Sequence, residues 1–424
     1  MNDVRKQDCL DYSDRAALSC RDRFERPEHP KIEVGLLTGG QDKSYALGLA
    51  MALASRGIRL DFIGSDEVDD PQLHAAPSID FRNLRGSQRR NASLREKVSR
   101  VLIYYYRMIH YATFASPKLL HILWNNKFEI FDRTLLTFYY KMLGKKVVLT
   151  AHNVNTAKRD SSDSFLNRLS LKIQYRLVDH IFVHTERMKS ELVKDFGLSE
   201  NAITVIPFGV NNTVPNTSLT SAEAKRRLGI KDGEKTILFF GRIGPYKGLE
   251  FLATAFQSIS ARSTDYALII AGQPKVGATE YFEKIQQTLI SDATAGRVIQ
   301  KIEFIPDADT ELYFKAADLL VLPYTEVFQS GVLFLSYNFG LPVVATSVGS
   351  FQEDIIEGRT GFTCNVCDAD DLARSIEMYF ESDLYKALSS RRNDIQNHVN
   401  TKHSWDLVAD STRYVYGSLL GFIA

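Results

Sequence analysis

The chain has few cysteines and no long apolar run. Four cysteines in 424 residues are too few for a disulfide framework. Cys364 and Cys367 form a lone C-x-x-C motif, and because a structural zinc ion normally takes four ligands, we interpret them as ordinary loop thiols. The first thirty residues lack the apolar core of a signal peptide, and no run of 18 apolar residues occurs. We therefore expect a cytoplasmic protein in a reducing compartment.

The chain as a whole also lacks an excess of charge of one sign. Its formal net charge is +1 at pH 7, so the overall electrostatic field does not favour nucleic acid as a partner. The charge is unevenly distributed, however. Between residues 82 and 107 the single acid Glu96 is outnumbered by Arg82, Arg85, Arg89, Arg90, Arg95, Lys97, Arg100 and Arg107.

The same basic region is rich in tyrosine, with Tyr104, Tyr105, Tyr106 and Tyr111 in one predicted helix. A basic helix with interfacial aromatic residues can lie on an anionic membrane leaflet. A solvated helix face above a core stripe is the alternative interpretation. No nucleic-acid recognition motif accompanies the charge, so nucleic acid is not expected as a partner. The segment Arg82–Tyr111 is thus a candidate membrane surface for a peripheral protein on the inner membrane face.

Short apolar strands alternate with helix-like segments in two separate stretches. The first opens with strand 32–38, the turn Gly39-Gly40, helix 44–56 and strand 60–64, a βαβ unit of the doubly wound kind. A polar stretch, 211–221, separates it from the second. The remaining predicted strands are 119–123, 146–150, 180–184, 236–240, 267–271, 302–305, 319–323 and 342–346, and the predicted helices between them include 93–114, 133–143, 164–177 and 331–339.

This pattern predicts an α/β protein with two Rossmann-like doubly wound domains that face each other across a cleft. Residues 1–30 are charged and aperiodic and are expected to form a flexible extension. The N-terminal domain is predicted at 31–212 and the C-terminal domain at 213–402. Ligands of open α/β sheets bind beyond the carboxyl ends of the strands, so the loops there are the candidate sites.

The most informative of these loops lies in the segment FFGRIGPYKG, residues 239–248. An apolar strand ends there at Gly241 in a glycine turn that carries Arg242 and Lys247, and a helix pattern follows. Arginine offers a bidentate fork and lysine a mobile point charge. Two cations beside a helix N-terminus suit a diphosphate. The alternative is a solvated turn with two surface cations.

A second loop, Gln329-Ser330-Gly331-Val332, begins a helix after the strand 319–323. Ser330 is a candidate N-cap, and Gly331 allows another group to approach the backbone closely. Amides at such a helix start could bind phosphate oxygens. A capped helix without a ligand is the alternative.

Two further loops give weaker signals. Gly39-Gly40 precedes the first helix, but the chain has neither the Walker A spacing nor G-x-G-x-x-G at this point. His152 follows a buried strand and is placed to hydrogen-bond a ligand hydroxyl or an oxyanion. A lone histidine is more often a satisfied structural residue, and a glycine pair is often a structural turn.

Taken together, these residues resemble the family 4 glycosyltransferases of the GT-B fold, in a branch with a Q-S-G-V loop. The resemblance runs from about residue 32 to the C-terminus. The matching pieces are GLLTGG, LTAHNVN, DHIFVHTERMKSEL, VIPFGVN, FFGRIGPYKGLEFL, AADLLVLPYTEVFQSGVLFLSYNFGLPVVATSVGSFQEDIIEGRTGF and HSWDLVADSTRYVYGSLL.

The resemblance implies an acceptor-binding N-terminal domain, a nucleotide-sugar-binding C-terminal domain and a helix, 403–424, that crosses back to the first domain. It implies retaining transfer from a UDP- or GDP-sugar, with no metal ion and no cofactor required. It places Arg242 and Lys247 on the donor diphosphate, His152 near the donor sugar and Glu353 near the nucleotide. The backbone that it places around the phosphates comes from the phosphate-facing loops at Gly39, Gly40 and Gly241 and from the helix start at Ser330, Gly331 and Val332.

One departure from the family concerns two glutamates that many members place eight residues apart. Those positions hold Val327 and Leu335 in this chain. Glu326 lies one residue before the first and could replace it, whereas Leu335 cannot make the hydroxyl contacts of the second. The departure therefore concerns the expected contacts to the donor ribose.

We expect a retaining glycosyltransferase that moves a sugar to a glycan or lipid-linked acceptor in polysaccharide or glycoconjugate biosynthesis. A nucleotide-sugar-binding protein without turnover is the alternative from another class, because the two glutamates are missing. A GT-B epimerase would need acid and base carboxylates in the cleft, which the sequence does not reveal.

Overall fold

The computed structural model describes residues 32–40, 42–88, 93–159, 162–210, 214–290 and 294–422. The predicted flexible extension, 1–30, lies outside these ranges. Arg89 and Arg90 of the basic region and Gln41 of the first glycine loop also lie outside them.

The first sheet is parallel and, in the described residues, has seven strands in the order β3-β2-β1-β4-β5-β6-β7. They are β1 (Glu33–Leu37), β2 (Arg59–Gly64), β3 (Ile79–Asn83), β4 (Leu119–Ile122), β5 (Lys146–Thr150), β6 (His180–Val183) and β7 (Ile203–Val205). Helices cover both faces of such a sheet, so its strands are nearly continuous apolar runs. The strand order reverses between β1 and β4, which is where doubly wound sheets bind ligands.

The α-helices of this half are α1 (Lys43–Ser55), α2 (Pro71–Ala75), α3 (Leu94–Phe114), α4 (Glu129–Phe131), α5 (Thr137–Met142), α6 (Thr156–Arg159), α7 (Phe165–Leu177) and α8 (Glu186–Phe196). Their starts follow from local side chains. Helix α3 begins with a capping box, in which Ser93 Oγ accepts from Glu96 N at 3.3 Å and the Glu96 carboxylate accepts from Ser93 N at 2.8 Å.

The second sheet is also parallel, with six strands in the described residues in the order β10-β9-β8-β11-β12-β13. They are β8 (Lys235–Phe240), β9 (Tyr266–Ala271), β10 (Val298–Lys301), β11 (Leu319–Leu322), β12 (Val343–Thr346) and β13 (Gly361–Cys364). The helices are α9 (Ser221–Arg227), α10 (Leu249–Arg262), α11 (Thr279–Leu289), α12 (Asp307–Ala316), α13 (Gly331–Asn338), α14 (Phe351–Asp354), α15 (Ala369–Glu381), α16 (Asp383–Lys386), α17 (Leu388–Lys402) and α18 (Trp405–Leu419).

Some predicted elements are wrong in place or kind. The strand expected at 302–305 lies at β10 instead, because that edge strand is only half-buried and the apolar Phe304 beyond it is 62% exposed. Strands β3, β7 and β13 were not expected, since each is short and has exposed or half-buried positions. The helix expected at 133–143 is instead a π-helical turn, Asp132–Leu136, followed by α5.

The C-terminal helix α18 packs against α1 of the first domain. The indole of Trp405 lies against the backbone of Gly48 and Gly209, and a Cβ at either glycine would overlap it. The Trp405 indole N–H donates to the carbonyl of Val210 at 2.8 Å. Arg56, the C-cap residue of α1, pairs with Asp406 and Asp410 of α18. None of the helices in the described part of the chain is long and apolar enough to cross a membrane.

Candidate active site between the two domains

A cavity of about 310 Å3 opens between the two sheets, at the carboxyl ends of their strands. The first domain contributes Asp42, Ser44, Tyr45, Phe208 and Gly209, the second contributes Tyr246, Lys247, Tyr324, Val327, Gln329, Ser330, Gly331, Val332 and Leu335, and α18 contributes Trp405. The described wall therefore combines aromatic faces from the first domain with a lysine and a helix start from the second.

Lys247 is the central cation of this cavity. It ends the 3₁₀ turn Pro245–Lys247 that follows β8, and it is only 7% exposed. Its ammonium donates to the hydroxyl of Tyr324 and lies 3.9 Å from the centre of that ring. Burial raises the pKa of Tyr324, so the phenol beside Lys247 stays neutral.

The start of α13 lies beside Lys247. Ser330 occupies the N-cap position, as predicted, but its side chain makes no capping hydrogen bond. Its hydroxyl instead donates to the hydroxyl of Tyr324 at 3.5 Å. Ser330, Gly331 and Val332 therefore line the cavity with a helix start that has no side-chain cap.

The other predicted residues of the β8 loop lie at the margin of the cavity. Gly241 has φ +107°, and a Cβ there would touch Val332 at 3.5 Å. Arg242 is exposed and does not line the cavity. Of the two cations in this loop, the structure thus places Lys247, and not Arg242, in the cavity wall.

His152 lies one layer behind the cavity wall. Its ring stacks on Trp124 with centroids 4.3 Å apart and meets the edge of Tyr45 at 4.6 Å. Its Nδ1 is 3.1 Å from His184 Nε2, while its Nε2 is buried without a hydrogen-bond partner among the described residues. Burial, and next the neighbouring His184, hold the pKa of His152 well below its usual range, so the ring is neutral. Tyr45 separates His152 from the cavity.

The first glycine loop is held by an arginine. Gly39 and Gly40 have φ +61° and +67°, which glycine adopts without strain. Arg85 donates to the carbonyl of Gly39, and a Cβ on Gly40 would meet the Arg85 guanidinium at 2.8 Å. The two glycines do not line the cavity, whereas Asp42 directly after this loop does.

The acidic candidates do not line the cavity. Glu326 and Glu353 are exposed, while the neighbouring Val327 and the buried Leu335 contact the cavity directly. The apolar residues at the two family glutamate positions thus form part of the wall. The role of Glu326 as a replacement and that of Glu353 at the nucleotide stay predictions.

Sequence reasoning missed most of the aromatic wall. Tyr45, Phe208 and Trp405 come from three distant parts of the chain, and their rings pack on one another, with Tyr45 5.4 Å from Phe208 and 5.2 Å from Trp405. Tyr324 could have been found, because it follows β11 by two residues, at the carboxyl edge of the sheet. No local pattern marks the other three.

Two doubly wound domains that face each other across an aromatic cavity, with Lys247 in its wall, have the architecture of the GT-B glycosyltransferases. The family model for glycosyl transferases group 1 matches residues 220–398, and that for glycosyltransferase family 4 matches residues 43–214. The chain belongs to this family, the group 1 or family 4 glycosyltransferases, and the expected fold and family are both confirmed.

Similar curated proteins carry related names. A D-inositol 3-phosphate glycosyltransferase of Rhodococcus jostii is 23% identical over 419 residues, covering 92% of this chain and 88% of the relative. One of Pseudarthrobacter chlorophenolicus is 29% identical over 213 residues, covering 49% of this chain and 50% of the relative. This second match thus spans half of each protein.

Solved structures of other glycosyltransferases share the fold. A sucrose-phosphate synthase from Thermosynechococcus elongatus superposes with a TM-score of 0.71 at 18% identity, covering 92% of this chain and all of that one. The Anabaena protein Alr3699/HepE, in complex with UDP and glucose, gives a TM-score of 0.70 at 16% identity, with coverage of 92% and 100%. At these identities the likeness establishes the fold alone.

Proposed function

We propose that this glycosyltransferase uses a nucleotide-sugar donor, a UDP- or GDP-sugar, and transfers the sugar with retention of configuration. The buried Lys247 beside the start of α13, within the interdomain cavity, carries this proposal. A lysine and a helix N-terminus that converge on one space provide the positive charge and the donors that a diphosphate requires. No metal ion is needed in this proposal, because these groups offset the charge of the departing nucleotide.

The transfer balances without another reactant. The bond between the sugar anomeric carbon and the diphosphate oxygen breaks, and the acceptor oxygen forms a bond to the same face of that carbon. The acceptor proton passes to the departing phosphate oxygen. Lys247 would stabilise the charge that develops on this oxygen, with Arg242 on the same turn supporting the diphosphate from the cavity mouth. His152, neutral and behind Tyr45, would hold the sugar side of the cleft in place.

The acceptor is proposed to be a glycan or lipid-linked molecule reached at a membrane surface. Helix α3 supports this, because its outer face exposes large apolar side chains: Leu94 is 77%, Leu102 61% and Tyr106 71% exposed. Cations of the same segment, among them Arg95 and Arg107, accompany this face. Exposed apolar side chains with a basic rim suit the interface of an anionic leaflet.

A thermal-shift panel of UDP-, GDP-, ADP- and dTDP-sugars tests the donor proposal. A donor at about 100 times its Kd stabilises the fold by about 2.7 kcal/mol. In a domain of about 150–250 residues each kcal/mol shifts the Tm by roughly 2–4 °C, so the expected shift is about 5–11 °C. No shift with any of the four would overturn the nucleotide-sugar proposal.

A binding protein without turnover is the second candidate, favoured by Val327 and Leu335 at the glutamate positions. Slow hydrolysis of the bound donor separates the two, because a transferase releases sugar to water whereas a binder only retains its ligand. The membrane proposal has its own test. If the purified chain does not sediment with anionic liposomes at low salt, that part of the proposal fails while the donor proposal stands.

A further inference from the structure

A second cavity, of about 60 Å3, lies in the first domain and is separate from the interdomain cavity. We call it the basic pocket, and its lining residues are Arg85, Gln88, Lys97, Arg100, Val101, Tyr104, Tyr105, Asn126 and Lys127. It is much smaller than the interdomain cavity of about 310 Å3, so it suits one small polar group and not a whole sugar.

The fold places the basic pocket where ligands of doubly wound sheets bind. Arg85 and Gln88 come from the loop after β3, and Asn126 and Lys127 come from the loop after β4. Successive turns of α3 supply the remaining wall. Both loops follow the carboxyl ends of strands, and β4 lies on one side of the point where the strand order reverses.

The charge in the basic pocket is of one sign. Four of its described lining residues are cations (Arg85, Lys97, Arg100 and Lys127), and none is a carboxylate. The acids nearby are engaged in the fold. The Asp132 carboxylate accepts from Asn126 N, the Glu67 carboxylate from Gln88 N, and the Glu96 carboxylate from Ser93 N.

Contacts within the protein hold Arg85, Arg100 and Asn126 in place before any ligand arrives. The Arg85 guanidinium lies 5.4 Å from the Tyr104 ring centre, and Arg100 donates to the carbonyl of Ser87 at 2.5 Å. The Tyr104 hydroxyl donates to Asn126 Oδ1 at 2.7 Å, which turns the amide NH2 of Asn126 away from that bond. A preorganised set of guanidinium, ammonium and amide donors matches a tetrahedral oxyanion.

We propose that the basic pocket binds a phosphoryl group carried by the acceptor. This inference rests on the proposed transfer function, since it assigns the acceptor side of the same reaction. A phosphate monoester carries a charge of about −1.5 to −2 at pH 7 and three acceptor oxygens. That charge suits four converging cations better than the single charge of a carboxylate does.

Arg85 connects the basic pocket to the donor side of the cleft. It lines the pocket and also donates to the carbonyl of Gly39, in the loop that leads to Asp42 and Ser44 of the cavity wall. A phosphoryl group in the pocket would therefore anchor the acceptor beside the first glycine loop, with the rest of the molecule free to extend toward the cavity.

Calorimetric titration of the full chain with inorganic phosphate and with glycerol 3-phosphate, at constant ionic strength, tests this assignment. Lys97→Gln and Arg100→Gln each remove one cation, and we expect each to weaken binding by about tenfold, because a hydrogen bond to a charged group is lost. Lys194→Gln on α8 is the matched control: it is exposed, lies outside the pocket and removes the same charge. Its affinity for phosphate should equal that of the unaltered chain.

A parallel titration with vesicles of phosphatidic acid, whose headgroup is a phosphate monoester, identifies the source of the phosphoryl group. Binding of the soluble phosphates that depends on Lys97 and Arg100 indicates a soluble phosphorylated acceptor. Vesicle binding alone with that dependence indicates a lipid headgroup. The proposal is overturned if neither the soluble phosphates nor the vesicles bind. It is also overturned if Lys194→Gln weakens binding as much as Lys97→Gln and Arg100→Gln do. Lys97 and Arg100 do not line the interdomain cavity, so the sugar-nucleotide panel should be unaffected by these substitutions, and failure here is distinguishable from failure of the donor proposal.

Discussion

The ammonium of Lys247 and the phenol of Tyr324 are in direct contact in the wall of the interdomain cavity. The ammonium lies 3.9 Å from the ring centre and donates to the ring hydroxyl. A buried lysine normally loses part of its preference for the charged form. A cation over an aromatic face recovers some of that cost.

Removing this cation should abolish donor binding. Lys247→Ala is expected to lose the thermal shift of about 5–11 °C given by the cognate sugar nucleotide, and to lose turnover with it. Lys231→Ala, an exposed lysine before β8, should keep both. A full shift in Lys247→Ala would mean that the diphosphate binds elsewhere.

A glycine of α1 is required by the indole that crosses from α18. A Cβ at Gly48 would overlap the Trp405 ring, so Gly48→Ala should destabilise the protein by about 1–3 kcal/mol through overpacking. In a Trp405→Ala background the overlap is gone. Alanine should then stabilise α1 by up to about 1 kcal/mol, because it is the better helix former.

Urea denaturation of the four chains in this cycle measures the change of sign. A similar cost of Gly48→Ala in both backgrounds would contradict the assigned contact between the two residues.

Acidification should destabilise the fold through its buried histidines. Burial lowers the pKa of His184 to about 4, from an unfolded value of about 6.5. Between those values the unfolded chain binds a proton that the folded chain excludes. The free energy of unfolding therefore decreases as the pH falls through this window, by at most about 1.4 kcal/mol per pH unit for this residue.

Buried carboxyls have the opposite effect on the free energy of unfolding as the pH falls, because burial raises the pKa of Asp354 to about 6. Comparison of the unaltered chain with His184→Gln isolates the histidine. Denaturation midpoints at pH 7 and pH 5 should differ less in the variant. His110→Gln, at an exposed histidine of α3, should leave the difference unchanged. An equal pH dependence in all three chains would show that His184 does not carry the effect.

A glutamate at position 335, where many family members have one, should not create a contact with the donor ribose. Leu335 is 7% exposed and belongs to the core of the second domain as well as to the cavity wall. Leu335→Glu would bury a carboxylate without a partner and should cost about 1–3 kcal/mol. Leu335→Met, of similar volume, should cost less than about 1.5 kcal/mol.

Thermal unfolding with and without donor checks this prediction. A Leu335→Glu chain that is as stable as the parent and binds donor more tightly would show that the wall accommodates the family residue.

Much of the architecture was readable from local pattern. Strands such as β5 and β11 are apolar runs bounded by turn residues, and these strands and helix α3 were each expected within a residue or two of their observed bounds. The sequence-based prediction was wrong for the edge strands. β3 and β10 have exposed or half-buried positions, and their partners, not their own composition, make them strands.

Some residues of the candidate site were likewise predictable from local sequence, and others were not. Lys247 and Ser330 were expected because glycine turns after strands have local signatures, and a parallel sheet brings the carboxyl ends of its strands to one edge. The placement of Arg242 outside the cavity and of Tyr45 in front of His152 depends on the meeting of two domains. Phe208 and Trp405 both line the cavity, although they lie 197 residues apart in the chain. Local periodicity records burial and turn geometry, whereas the wall of a cleft between domains is decided only when tertiary packing brings distant side chains together.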